Sequence, residues 1–412
     1  MKPEFKGVFP APPTPVTEDG RINEKGLRAL LEDNIAHGCG GFWMAGSTGE
    51  GPVLTEEQRD AVAGISAEVC KGRALVIMQV GSMTTASAVK AAKTSRAAGC
   101  AAVCCLPPLF FRTSERSIID YYKAVADAAG ELPFFVYNLP QLTQVEFFPA
   151  LMEKMAREIP TLKGLKHSAQ DFTQIRAFAD MGLTCFSGNG ALALPALTMG
   201  AVGTIDAPLC LAPWHYAELF AAWEAGNIRL AQSLQDGVRK YVELVWMFGA
   251  PADVCKTVLT ARLGVDCGHS IPPVNRLTDD QRREVLSVAE SLGVTEARRR
   301  RAVGSQTLDQ PALLHRGADE GREERVRVER FGFQLGMELH ADEPGMVFDL
   351  DDLRQHTVRR HAGTDEAVRF EERPVGARPF SPDGAGMVAR VKGRKIPAWK
   401  LAHGWAGELS PA

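Results

Sequence analysis

Eight short apolar runs, separated by stretches of helical period, constrain this chain more than any other feature. The runs are Gly7–Pro10, Gly41–Ala45, Ala74–Val80, Ala101–Leu106, Phe134–Tyr137, Gly164–His167, Thr184–Phe186 and Gly203–Asp206. Between them lie Glu24–Ala36, Glu56–Val69, Thr85–Arg96 and Glu115–Ala128, where apolar residues recur every three or four positions. Strands that alternate with helices in this way predict a parallel sheet closed into a (β/α)8 TIM barrel. Further helical stretches, Trp214–Glu224 with Ile228–Trp246, Ala252–Leu263 and Asp279–Leu292, predict a helical C-terminal extension. In such a barrel the chemistry sits at the C-terminal ends of the strands.

Three of those ends carry reactive side chains. Lys166 lies near the end of Thr161–His167, Tyr137 closes Pro133–Tyr137, and Gly46-Ser47-Thr48-Gly49-Glu50 follows Gly40–Ala45. An amine attacks a ketone only when neutral, and desolvation on an apolar strand end can lower a lysine pKa towards that state. The imine so formed withdraws electrons and lets an adjacent C–C bond break or form. A phenol can then carry the proton to and from the substrate oxygen. A Gly-rich turn with two hydroxyls suits the carboxylate beside the ketone. Together they are the equipment of an enzyme that forms a Schiff base with a 2-oxo acid. Each piece has an ordinary role as well: a lysine at a strand end is usually a solvated rim charge, and Tyr-Asn-Leu-Pro is a strand-to-turn junction. In Gly-Ser-Thr-Gly-Glu, Glu50 could complement a helix dipole and Thr55 could cap the helix after it. Those roles account for the pieces singly but not for their order.

With these residues in place, the chain resembles the family of dihydrodipicolinate synthase and N-acetylneuraminate lyase. The matching pieces are Gly7-Val8-Phe9 with Thr14-Pro15-Val16, then Gly46–Glu50, Tyr137-Asn138-Leu139-Pro140, Gly164–Ser168 and Gly200–Ile205. They are collinear and cover about residues 5–293. The resemblance implies Schiff-base aldolase or lyase chemistry on a (β/α)8 barrel, with no cofactor beyond the covalent imine at Lys166. It implies that Tyr137 is the proton shuttle, with Thr48 assisting it. Gly46, Ser47 and Thr48 would hold the substrate carboxylate, beside the Ile205 carbonyl and Gly188. It also implies a homo-oligomer, a tetramer in the family.

Departures from the family pattern narrow the substrate. The synthases place a second tyrosine, from a neighbouring subunit, in a stretch that here reads Pro107-Pro108-Leu109-Phe110-Phe111-Arg112. Their arginine two residues after the Tyr-Asn-x-Pro proline is Leu142 here. The lyases grip sugar hydroxyls with an acidic pair after the seventh strand, where this chain has Ser187-Gly188-Asn189-Gly190-Ala191. A site without partners for a polyol disfavours sialic acid. The expectation is an aldolase or lyase that cleaves a 4-hydroxy-2-oxo acid to pyruvate and an aldehyde, or the reverse. Alternatives are a related synthase or 2-keto-3-deoxy sugar-acid dehydratase, and, in another class, a non-catalytic 2-oxo-acid sensor. Asp206, at a strand end, is expected either to add one polar contact or to be structural.

Net charge of −3 makes no electrostatic case for nucleic acid or an anionic membrane, and no apolar run is long enough to span one. Nine cysteines, without a Cys-x-x-Cys pair, read as a reducing, cytoplasmic setting, and the nine histidines form no metal-ligand spacing. Past residue 296 the composition changes: lysine is absent from 257 to 391 and arginine carries the positive charge. The expected domains are a barrel over 1–210, its helical extension over 211–296, a linker over 297–325 and a small β-leaning appendage over 326–412. Within the appendage, Val326–Phe331 and Phe333–Met337 are strand candidates.

Overall fold

The computed structural model describes residues 4–108, 111 and 113–296, and four short strands between 357 and 397. The chain divides into two compact units, Met1–Gln306 and Thr307–Ala412.

In the first unit every apolar run forms a strand: β1 (Gly7–Val8), β2 (Gly41–Met44), β3 (Leu75–Gln79), β4 (Ala102–Cys105), β5 (Phe134–Asn138), β6 (Leu162–His167), β7 (Thr184–Ser187) and β8 (Gly203–Thr204). All are parallel, in the order β1-β8-β7-β6-β5-β4-β3-β2. The Gly40 N–H to Val8 and the Trp43 N–H to Pro10, at 3.1 and 2.9 Å, close the seam between β1 and β2. The result is a (β/α)8 TIM barrel. Between the strands lie helices α1 (Glu24–Ala36), α2 (Glu56–Cys70), α3 (Thr85–Ala98), α4 (Glu115–Ala129), α5 (Pro140–Thr143), α6 (Pro149–Glu158), α7 (Gln174–Asp180) and α8 (Ala193–Thr198). Local sequence starts several of them: Asn23, Thr84 and Ser114 cap α1, α3 and α4, and Thr55 forms a capping box with Gln58 at α2.

Strands β1 and β8 are shorter than their apolar runs. Prolines at 10, 12 and 13 remove donors from the first, and the second turns at Asp206 into a short 3₁₀ segment, Ala207–Cys210. Pairing nevertheless continues past the ladder, because the Phe9 and Ala11 N–H groups each donate at 3.1 Å to Thr204 and Asp206.

Strands buried on both faces read as continuous apolar runs, and here they separate two cores. Phe9, Trp43, Ile77, Cys104, Phe135, Tyr137, Phe186 and Ile205 fill the barrel interior. Phe134, Val136 and Leu165 point outward to the helices. Phe9 and Phe135 both pack on Phe186, with centroids 4.9 and 6.3 Å apart, forming an aromatic plug under the site.

The extension is α9 (Pro213–Glu224), α10 (Ile228–Val245), α11 (Pro251–Leu263) and α12 (Asp279–Ser291). Helix α11 is buried almost throughout, charged residues included. Its Arg262 donates to the carbonyls of Leu211 and Cys210 at 2.6 and 2.7 Å and pairs with Asp33 of α1 at 2.7 Å, which ties the extension to the barrel. All nine cysteines are free and buried. Among the described residues, no helix is long and apolar enough to cross a membrane, and no group of three or more His, Cys, Asp and Glu side chains is placed to hold a metal.

The second unit contains an antiparallel sheet of β9 (Thr357–Val358), β10 (Val368–Glu371), β11 (Val388–Val391) and β12 (Arg394–Pro397), in the order β12-β11-β10-β9. The strand candidates at 326–337 and the linker lie outside the described residues.

Candidate active site

The site begins with the register of β5 against β6. Tyr137 stands directly opposite Lys166, and Val136 opposite Leu165. This pairing depends on an irregularity lower in the strands: Phe134 pairs with Leu162, but Phe135 pairs with Gly164, so β6 holds one extra residue. Side chains alternate along a strand, so a one-residue shift moves each to the opposite face. Without the bulge, Tyr137 would face Leu165 and the Lys166 amine would point at the helical layer. Gly164 permits the close approach: a Cβ there would lie 1.9 Å from the Thr184 carbonyl oxygen of β7. Gly164→Ala should therefore cost about 1–3 kcal/mol or more of stability and, by displacing Lys166, reduce turnover about a hundredfold. Thermal melts and steady-state rates check both effects.

Lys166 is 3% exposed. Its Nζ donates to the Tyr137 Oη at 3.2 Å and lies 4.5 Å from the Tyr137 ring centroid and 5.6 Å from that of Trp43. The two rings meet edge to face with centroids 5.3 Å apart. The Tyr137 Oη has a second partner, the Ser47 Oγ at 3.2 Å. Ser47, Tyr137 and Lys166 thus form one hydrogen-bonded row. The sequence reading gave the assisting role to Thr48; the hydroxyl that meets Tyr137 is that of Ser47, while Thr48 is buried beside it.

The other expected residues surround this row. Gly46 packs on the Trp43 indole, where a Cβ would come within 3.0 Å of Cδ1. Ile205 is fully buried in the barrel interior with Tyr137, and its N–H donates to Ser187 at 2.8 Å. The Gly188 N–H donates to the His167 carbonyl at 2.7 Å, and a Cβ on Gly188 would meet the Ser168 Oγ at 1.9 Å. Leu109, Phe110 and Arg112 lie outside the described residues; Phe111 and Leu142 are 68% and 67% exposed.

Asp206 proves to be structural. Its carboxylate accepts from the Gly190 N–H at 2.7 Å and the Ala207 N–H at 2.8 Å, joining the loop after β7 to the end of β8. Burial pushes its carboxyl up, and the nearby Lys166 charge and those two donors oppose that rise. His167 is structural too. Its Nδ1 meets the Asn138 amide at 3.2 Å and its Nε2 the Asp171 carbonyl at 3.0 Å, and burial lowers its pKa. Neutral imidazole accepts at Nδ1 and donates at Nε2, which locks the ends of β5 and β6 in the register the site needs.

Two features escaped the sequence reading. Trp43 was one apolar residue in a run, yet its ring forms a wall of the site, and its buried indole N–H has no acceptor among the described residues. Glu50 does not complement a helix dipole. Its carboxylate pairs with Lys256 of α11 at 2.5 Å, with both side chains fully buried. Nothing local in the sequence connects those two residues.

The sequence matches the Dihydrodipicolinate synthetase family over residues 4–292. It is 30% identical over 293 residues to a 4-hydroxy-tetrahydrodipicolinate synthase of Syntrophus aciditrophicus, covering 70% of this chain and 99% of the relative. An N-acetylneuraminate lyase of Citrobacter koseri is 30% identical over 261 residues, 63% of this chain and 87% of the relative. Among solved structures, a Ruminococcus gnavus sialic acid aldolase superposes with a TM-score of 0.68 at 25% identity, covering 71% of this chain and 98% of that one. Register, inward lysine and whole-barrel match agree: the chain belongs to the dihydrodipicolinate synthetase family and is a lyase of the Schiff-base aldolase type.

Proposed function

We propose that this enzyme is a class I aldolase that cleaves a 4-hydroxy-2-oxo acid to pyruvate and an aldehyde, or runs the reverse condensation. The observation that carries the reading is the Ser47–Tyr137–Lys166 row, its amine 3.2 Å from a phenol in a buried barrel interior. In the cleavage direction the Lys166 amine adds to the C2 ketone, the carbinolamine hydroxyl leaves as water with the proton of the Tyr137 phenol, and a protonated imine and a Tyr137 phenolate result. The Tyr137 phenolate takes the proton of the C4 hydroxyl as the C3–C4 bond breaks. Those bonding electrons become an enamine at C3, and the aldehyde departs. The Tyr137 phenol then gives its proton to C3, and water hydrolyses the imine and returns a proton to the phenolate, which releases pyruvate and free Lys166. Gly46, Ser47 and Thr48 hold the 2-oxo acid carboxylate, with Ile205 and Gly188 lining the same space.

The choice of a short acid rests on what the loops contain. Leu142 stands where the synthases carry arginine, and Ser187–Ala191 offers no carboxylate to a sugar. Asp206, the acid at the end of β8, is already engaged by two backbone donors. A coupled assay for pyruvate release across 4-hydroxy-2-oxo acids tests the reading. Release from short acids supports it, whereas water elimination without pyruvate release identifies the dehydratase. A binder that leaves no covalent trace with pyruvate and borohydride is a sensor.

We place the whole catalytic apparatus in residues 1–296, with 326–412 a separate β-rich appendage. Truncation after residue 296 should leave a folded enzyme with most of its activity, measured as kcat/KM on the substrate found above. Unfolding or loss of turnover on truncation would overturn that boundary. Exposed Met83 and Phe111, on the loops after β3 and β4, and Leu142, in α5 after β5, support a homo-oligomer, which sedimentation checks. The buried free thiols suit a cytoplasmic enzyme.

A further inference from the structure

The loop that carries Ser47 is short and tightly closed. The Glu50 N–H donates to the Ser47 carbonyl and the Gly51 N–H to that of Gly46, both at 3.0 Å. The hydroxyl of buried Thr14 donates to the Gly49 carbonyl at 2.6 Å. Glu50 itself sits in the left-handed region with φ 57°, a conformation a non-glycine residue holds only when its surroundings fix it. They do so through its side chain. One carboxylate oxygen accepts from the Ile271 N–H at 2.5 Å, and the other meets Lys256 Nζ at 2.5 Å. Lys256 also donates a hydrogen bond to the His269 carbonyl at 2.7 Å. The loop that presents Ser47 to Tyr137 is therefore anchored to α11 and to the turn after it, outside the barrel.

We propose that the buried Glu50–Lys256 pair is a positioning device for the Ser47 hydroxyl, which makes the helical extension part of the catalytic apparatus. The proposal rests on the reading that Lys166 forms an imine with a 2-oxo acid whose carboxylate the Ser47 loop holds. A charge-assisted hydrogen bond from the Ile271 N–H and an ion pair with Lys256 converge on a residue three positions from Ser47. Burial pushes the Glu50 carboxyl up and the Lys256 amine down, and each partner's charge opposes the other's shift. A pair so buried contributes little net stability over a neutral, well-packed replacement, whereas its geometry is specific. The neighbouring Asp253 adds a second buried carboxylate to the same cluster and holds the turn that carries Ile271. It accepts from the Ser270 and Leu277 N–H groups at 2.6 and 2.8 Å and from Arg282 at 2.7 Å, all within the extension.

The test uses the full chain and pyruvate as the probe, with borohydride trapping at Lys166 read against pyruvate concentration. Trapping in the wild type establishes the underlying reading; its absence would sink that reading rather than the positioning role. In the double variant Glu50→Gln with Lys256→Met, the buried charges are gone and the stems remain. We expect a melting temperature near that of the wild type, with half-saturation by pyruvate raised about tenfold and the maximal trapped fraction retained. Tyr122→Phe, which removes the buried hydrogen bond from that hydroxyl to the Cys105 carbonyl at 2.9 Å, is expected to lower the melting temperature while leaving half-saturation unchanged. Unaltered half-saturation in the folded double variant overturns the proposal. So does a shift in Tyr122→Phe as large as in the double variant, because general loosening would then explain both. Should the double variant not fold, Glu50→Gln alone is measured in the same way. If neither accumulates as folded protein, the pair is a requirement of folding and the proposal falls.

Discussion

Lys166→Arg is expected to abolish turnover and to remove all borohydride-dependent labelling by pyruvate. Arginine keeps the charge and much of the stem, so the buried site beside the Tyr137 and Trp43 rings stays occupied. It cannot supply a neutral amine, because guanidinium does not deprotonate in proteins. In the wild type the label should be one reduced pyruvyl group on the peptide containing Lys166, seen by mass spectrometry. A label on another lysine, or turnover in the variant, would mean that the amine opposite Tyr137 is not the nucleophile. A circular-dichroism spectrum matching the wild type establishes that the variant has lost chemistry and not the barrel.

Tyr137→Phe is expected to cost about two to four orders of magnitude in kcat, the usual contribution of a positioned acid–base group. Phenylalanine preserves the ring that meets Trp43 edge to face at 5.3 Å and faces the Lys166 amine at 4.5 Å. Only the hydroxyl between Lys166 and Ser47 is lost. Pyruvate should still be trapped at Lys166, although more slowly, because imine formation needs the amine first. The informative result is the separation of the two steps: trapping that survives while cleavage collapses. Near-normal cleavage would show that another group moves the proton.

Most of the barrel was legible because a parallel strand is buried on both faces, which leaves an apolar run that no other element of that length requires. Lys166 and Tyr137 were legible because such runs have few polar residues at their ends, and both ends are reactive. What the sequence could not reveal depends on register and distance. A single extra residue in β6 decides whether Lys166 faces the interior, and nothing in Leu162-Lys163-Gly164 announces which residue is the bulge. Ser47 and Thr48 are adjacent hydroxyls, and only the turn closed by Glu50 and Gly51 determines which one meets Tyr137. Glu50 looked like a helix-start carboxylate because α2 begins shortly after it. Its partner lies in α11, and a buried pair that remote leaves no local pattern. Asp206 was visible as an acid at a strand end, but its role depended on the two backbone donors that the loops bring to it.

The burial of all nine thiols makes the protein its own reporter of opening. Only a thiolate reacts with an alkylating reagent, and burial pushes Cys70, Cys100 and Cys105 up to about 12 and Cys267 to about 11. Burial raises Cys39 and Cys104 well above the ordinary thiol value, and the Cys210 thiol, together with burial, does the same to Cys255. In the closed barrel these groups are chemically silent, and each becomes reactive only while its own segment is open to water. They are spread from the approach to β2 through α2, β4 and β7 to α11 and the turn beyond it. Alkylation followed peptide by peptide would therefore time the loosening of the barrel separately from that of the extension, with no probe introduced.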